Sequence, residues 1–247
     1  MTETVWLADG RQISVEVSGN PSGRPVFLLH GTPGSRLGPR PRGMVLYRLG
    51  VRLITFDRPG YGHSDRMPGR RVADVANDVA AIADGLDWFD GMTASNVVDF
   101  TAAAGGHASL AARLSPAADA IRTDPASVLA RLRAELPDSD RRIVADAGIR
   151  ALLAAPHAEA LRASAHGWID HALALCVNWG FDPSEVHVPV LLWHGESDVL
   201  SPASHARWLA SRIPNATVAV QSGAAHFSAL HVLPDVLRWL VTSSPPR

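Results

Sequence analysis

Four short stretches of this 247-residue sequence place reactive or charged side chains among small residues. The first is His30-Gly31-Thr32-Pro33-Gly34. A glycine there lets the backbone turn sharply against a ligand, and amides freed from a strand can face a developing negative charge. The second, Asp57-Arg58-Pro59-Gly60-Tyr61-Gly62-His63-Ser64, is a stiff, glycine-punctuated loop. The third, His194-Gly195-Glu196-Ser197-Asp198, offers a carboxylate that can orient an imidazole and stabilise it when protonated. The fourth, Gly223-Ala224-Ala225-His226-Phe227, sets a histidine among residues small enough to leave room for a substrate; histidine is the usual general base near neutral pH. Each has a plainer reading. The first two serve equally as turns, the second a surface turn fixed by Pro59, while Asp198 can cap a helix opening near Ser201 and His226 can be an inert loop residue. The remaining histidines, such as His107, His157, His166 and His171, read as solvated helix positions.

The elements that must position these loops follow from hydrophobic period. Val5 and Leu7 lead to Asp9-Gly10, and Ile13, Val15 and Val17 then alternate with polar neighbours, which predicts a hairpin over 4–18. Residues 25–30 form a continuous apolar run, as in a strand covered on both faces, and 51–56 form a second. Between them, 40–49 reads as a short helix stopped by Gly50. Val72, Val75, Val79, Ile82 and Leu86 recur at helical spacing over 70–86. From about 92 to 180 the texture is Ala, Leu and Arg with no strand pattern. Helices are expected there from Asp124-Pro125, after Asp138, and over 159–176. Strands return at 188–193 and 217–220, with helices from Ser201-Pro202 to about Ile213 and over 232–241. Strands alternating with helices make an α/β fold, a mostly parallel sheet with helices on both faces and a helical insertion. All four loops then sit just past strand ends, where open α/β sheets bind ligands.

In this order, HGxPG, DRPGYGHS, HGxxD and GxxHF resemble the α/β-hydrolase fold family, in its branch of esterases, proline iminopeptidases and epoxide-hydrolase-like proteins. The resemblance implies three parts: residues 1–86 and 186–247 as the two halves of the hydrolase core, and 87–185 as a helical cap. It further implies Asp198 as triad acid, His226 as triad base, and His30, Gly31, Thr32 and Pro33 as the oxyanion loop and pocket wall, with the Thr32 amide one oxyanion donor. The activity implied is hydrolysis of ester- or amide-type bonds of a small molecule, without cofactor or metal.

One part of the pattern is missing. The family's nucleophile stands in a small-x-Ser-x-small elbow between a strand and a helix. That elbow and the strand after it need about 30 residues or more. Between Asp84 and Trp88 there is no room for them, so no nucleophile is assigned. Gly91-Met92-Thr93-Ala94-Ser95 has small residues at the right offsets but no strand before it; Ser109 and Cys176 lie in helical sequence, and Ser197 is followed by the bulky Val199. The expectation is an impaired or inactive hydrolase whose central strands are deleted. Its rivals are a hydrolase in which His226 activates water directly, a non-catalytic small-molecule binder, and a truncated gene product. Two half-sheets with apolar edges would invite pairing with another chain, which predicts a strand-exchanged homodimer.

The bulk composition narrows the setting. Net charge is −1, and all 23 basic residues are arginine, with no basic block to engage nucleic acid or an anionic membrane. A lone cysteine excludes an internal disulfide. No apolar run approaches the ~18–20 residues that span a bilayer, and the first residues lack a signal-peptide pattern. The expected location is the cytoplasm.

Overall fold

The computed structural model describes residues 2–7, 10–71, 91–176 and 181–243. The expected hairpin is β1 (Thr2–Trp6) and β2 (Gln12–Gly19), antiparallel with Val5 opposite Ile13. The two apolar runs are β3 (Arg24–Leu28) and β4 (Val51–Phe56), which pair in parallel. Helix α1 (Gly43–Arg48) joins them and stops before Gly50, whose φ of 64° is the left-handed conformation that glycine takes without strain. Among the described residues these strands make one sheet in the order β1-β2-β4-β3. A second sheet pairs β5 (Val190–Gly195) with β6 (Ala216–Gln221), again in parallel. The helix expected over 70–86 and the junction between Asp84 and Trp88 lie outside the described residues.

Among the described residues, six helices come between the sheets in sequence: α2 (Ala94–Ala104), α3 (His107–Thr123), α4 (Ser127–Leu132), α5 (Asp138–Ile143), α6 (Ala147–Leu161) and α7 (His166–Leu175). The single helix expected over 159–176 is therefore two elements, with residues 162–165 between them. The helix expected at Asp124-Pro125 begins at Ser127, because Asp124 turns its carboxylate back onto the Ala126 amide. Helix α8 (Ala203–Ala210) follows β5, and α9 (Ala229–Ser243) closes the described chain.

The larger apolar core lies among the inserted helices, where Leu110, Leu114, Ile121, Leu161 and Ile169 are buried together with Tyr61. The four-stranded sheet has a smaller core, with Leu46 of α1 and Leu237 of α9 packed on Val51 and Leu53. Strand β3 corrects one expectation. Its Val26 and Leu28 face that core, but Phe27 is 61% exposed and Leu29 just beyond it 59%, so among the described residues this run is covered on one face only.

Candidate functional site

Strand β5 ends at Gly195, and a Cβ there would lie 2.7 Å from the backbone of Ala225. Glycine thus lets the loop after β6 lie directly on the tip of β5, and the Ser197 amide bonds the Ala224 carbonyl at 2.9 Å. This contact brings together two residues 28 apart in sequence: His226 Nδ1 donates to Asp198 Oδ2 at 3.0 Å. The two carboxylate oxygens of Asp198 divide the labour. Oδ1 accepts the amides of Leu200 and Ser201, both at 2.9 Å, which is the capping role, while Oδ2 holds the imidazole. Both readings of Asp198 therefore describe one side chain. Burial would raise its carboxyl, but hydrogen bonds from His194 and His226 outweigh this and hold it below the ordinary carboxylate range. The same hydrogen bond to Asp198 raises His194.

The His30 loop faces the same space. The Arg58 amide donates to His30 Nε2 at 3.2 Å, so the ring proton belongs on Nδ1, which lies 2.8 Å from the Gly31 carbonyl. Both ring nitrogens are thus occupied in fixing the loop. Burial, reinforced by the Arg58 guanidinium, lowers His30 to about 3 and keeps it neutral. Among the described residues the Thr32 amide bonds no acceptor, as an oxyanion donor requires. Arg58 also bonds the Gly31 carbonyl at 2.9 Å and the Thr32 hydroxyl at 3.0 Å. The loop from Asp57 to Ser64 is not a surface turn: Asp57 and Tyr61 are fully buried, and Asp57 accepts the Arg36 amide and guanidinium. A Cβ on Gly62, whose φ is 53°, would collide with the Asp57 carboxylate at 2.2 Å.

A cavity of about 660 Å³ opens between these loops and the helices, with His30, Thr32 and His226 on one side and Leu114, Ile121 and Trp168 on the other. This is the size and mixed lining of a small-molecule site. Two histidines expected to be solvated also line it. His157 lies on α6, and burial lowers it. His171 on α7 accepts from Arg58 at 3.1 Å and from Arg70 at 3.1 Å, and burial followed by these two cations lowers it to about 2. His107 and His166 are exposed as expected. His205, which the sequence did not single out, is buried and lines the cavity.

Residues 72–90 contain no serine, threonine or cysteine, and of the chain's serines, threonines and cysteine only Ser244 lies outside the described residues. None of them bonds the His226 imidazole among the described residues. Ser95 comes to the cavity wall, in the first turn of α2, but its hydroxyl donates to Glu135 at 2.9 Å. A residue that sequence reasoning missed lies behind the His226 loop. Asp140 of α5 is fully buried and accepts the amides of His226 at 3.1 Å and Phe227 at 2.9 Å. Burial pushes its carboxyl up, against those two hydrogen bonds.

Residues 24–89 match the family model of the alpha/beta hydrolase fold. A stretch of 60 residues, 24% of this chain and 18% of the relative, is 38% identical to a probable proline iminopeptidase of Streptomyces coelicolor. Over 98 residues, 39% of this chain and 38% of the relative, it is 40% identical to the pimeloyl-[acyl-carrier protein] methyl ester esterase of Aromatoleum aromaticum. The chain thus spans less than two fifths of the curated relatives it matches. Among solved structures, a bromoperoxidase from Bacillus anthracis superposes with a TM-score of 0.61 at 19% identity, over 98% of this chain and 99% of that one. An esterase from Rhodococcus sp. gives 0.60 at 21%, over 98% and 99%. An epoxide hydrolase from Vigna radiata gives 0.61 at 16%, over 99% and 98%.

Proposed function

Taking as premise that this chain has the α/β-hydrolase fold, we propose that it binds small carbonyl compounds of the ester or amide class but does not turn them over through a serine acyl-enzyme. The observation that carries this reading is the His226–Asp198 pair, held at 3.0 Å at the cavity wall with no hydroxyl or thiol bonded to the imidazole among the described residues. A serine hydrolase needs its base to deprotonate a nucleophile. In subtilisin, removing the serine alone costs about as much activity as removing the whole triad. The absent strand–elbow–helix–strand unit accounts for the loss. On this reading the two central strands are deleted, residues 87–185 act as the cap over the pocket, Thr32 offers one oxyanion amide, and the protein works in the cytoplasm without cofactor or metal.

The test is direct. A fluorophosphonate probe followed by intact-mass measurement is expected to leave the protein unmodified, and aryl ketones are expected to raise its melting temperature equally in the parent and in His226→Ala. A stoichiometric adduct, or a p-nitrophenyl ester burst lost in His226→Ala, would overturn the proposal.

A second reading is favoured by the intact orientation of His226. With Nδ1 bound to Asp198, Nε2 is left to act as base on a water molecule directly. Steady ester hydrolysis without a burst, abolished by both His226→Ala and Asp198→Asn, would select this reading over pure binding.

A further inference from the structure

The short 3-10 turn that carries His226, residues His226–Ser228, has a defect at its start. Its N-cap position is Ala225, whose methyl group cannot accept a hydrogen bond. The first amides of a helical turn have no partner within it, and a Ser, Thr, Asp or Asn at the cap normally supplies one. Here the acceptor comes from another element. Asp140, 86 residues earlier and on α5 of the helical insertion, places Oδ2 3.1 Å from the His226 amide and Oδ1 2.9 Å from the Phe227 amide. Both of its oxygens are spent on this one turn. Asp140 makes no salt bridge with any described residue, although Arg141 and Arg142 follow it directly.

We infer that Asp140 is the positioning residue of His226: a buried carboxylate of the helical insertion serves as the missing cap of the turn and so fixes the imidazole against Asp198. Two bonds from one carboxylate to consecutive amides hold the backbone of residues 226 and 227 in place. The His226 side chain then leaves that backbone at a set angle to reach Asp198 Oδ2. The other ties on the loop run between its neighbouring residues: Ser228 Oγ accepts the Ala225 amide at 3.1 Å, the Ser228 amide bonds the Ala225 carbonyl at 3.2 Å, the Ala224 amide bonds the Gln221 carbonyl at 3.4 Å, and the Ala224 carbonyl accepts from Ser197. None of them touches the amide of His226. Helix α5 of the insertion and the loop that carries His226 are thereby coupled through one side chain.

The inference rests on the reading of His226 and Asp198 as the working pair, and the experiment separates the two. NMR of the full chain would follow amide exchange at His226 and Phe227, and the low-field proton of the Nδ1···Asp198 hydrogen bond, in the parent and in Asp140→Asn, Asp140→Ala and Asp138→Asn. Asp138 is the control, on the same helix but with a side chain 84% exposed. In Asp140→Ala both amides are expected to exchange at least about tenfold faster, the factor carried by one hydrogen bond of about 1.4 kcal/mol. The low-field signal should broaden or vanish, while amides of β4 stay protected. Asp140→Asn, which keeps shape and one acceptor, should release at least one of the two amides, and Asp138→Asn should change neither. Unchanged exchange at 226 and 227 in both Asp140 variants, or a low-field signal lost in Asp198→Asn but untouched by either, would overturn the inference and leave the pair standing. If the parent shows no low-field signal, it is the reading of the pair that fails, and amide exchange still decides the role of Asp140.

Discussion

Arg58 organises two imidazoles that stay neutral near neutral pH in the folded chain. Its backbone amide fixes the His30 tautomer, and its guanidinium bonds His171 on the other side. Burial is the larger cause of the depression in both histidines, and the cations Arg58 and Arg70 add to it. The consequence for stability has a definite sign. An unfolded histidine titrates near 6.5, whereas these two do so at about 3 and about 2. As pH falls through 6.5 the unfolded chain gains protons that the folded chain refuses, so stability present above that pH is lost progressively down to about 3. At pH 5 the loss is at most about 2 kcal/mol per histidine, less whatever solvent screening removes. His194 works the other way: its raised value adds stability that is fully present below 6.5 and fades as pH rises. The informative measurement is therefore a difference. Urea midpoints at pH 7 and pH 5 should fall more steeply with acid in the parent than in His171→Gln, and equal slopes would refute the assignment. Nothing in the local sequence distinguishes His171 from the exposed His166, because what separates them is tertiary burial together with a guanidinium delivered by a loop 113 residues away.

Helix α7 is held against the Asp57–Ser64 loop by a contact that only glycine permits. A Cβ on Gly167 would lie 2.7 Å from the Gly60 carbonyl carbon and oxygen, and 2.8 Å from the Tyr61 ring. Helix propensity and packing make opposite forecasts for Gly167→Ala. Propensity favours alanine by about 1 kcal/mol, whereas overpacking against backbone costs about 1–3 kcal/mol. The backbone of Gly60 has no rotamer to yield, so packing is expected to win: Gly167→Ala should lower the denaturation midpoint and weaken the adjacent Arg66–Asp170 pair, whose two bonds are 2.7 and 2.9 Å. A midpoint raised by the substitution would show that the helix can shift away freely. This contact explains what was legible at the scale of elements. Strands β4 and β5 follow from apolar runs, and β1 with β2 from alternation around a turn, because each period is a local property. The break between α6 and α7 was invisible, since residues 159–176 keep helical composition throughout and the interruption serves a tertiary fit. The strand-end loops of Asp198 and His226, which the fold brings into hydrogen bond, stood out by their small neighbours, but the Asp140 contact did not, because the alanine beside it lies on another element.

At the scale of the molecule, the helical insertion ties both sheets to itself through carboxylates that are buried or partly buried. Glu159 of α6 and Asp170 of α7 bind Arg36 and Arg66 beside the four-stranded sheet, and Asp140 of α5 holds the loop beyond the two-stranded one. Among the described residues no strand joins β3 to β5, so the outer edges of both are left without a ladder partner. Beside the β3 edge stand Phe27 and Leu29, each more than half exposed, and Val188 just before β5 is 65% exposed. Unpaired apolar edges are templates for another strand, and a net charge of −1 supplies little long-range repulsion to keep copies apart. The prediction at this scale is that a second copy of the chain pairs along these edges, since it would bring an identical edge with little charge repulsion. Light scattering across a concentration series is expected to show mass above that of one chain, with a melting temperature that rises with concentration. Phe27→Lys places a charge on the exposed face beside the edge without touching the Val26–Leu28 side that packs on Leu46, so it should return the protein to single-chain mass with its helical content intact. A parent that stays monomeric at every concentration, with one sharp unfolding transition, would mean that the helical ties alone close the fold and that the edges carry no partner.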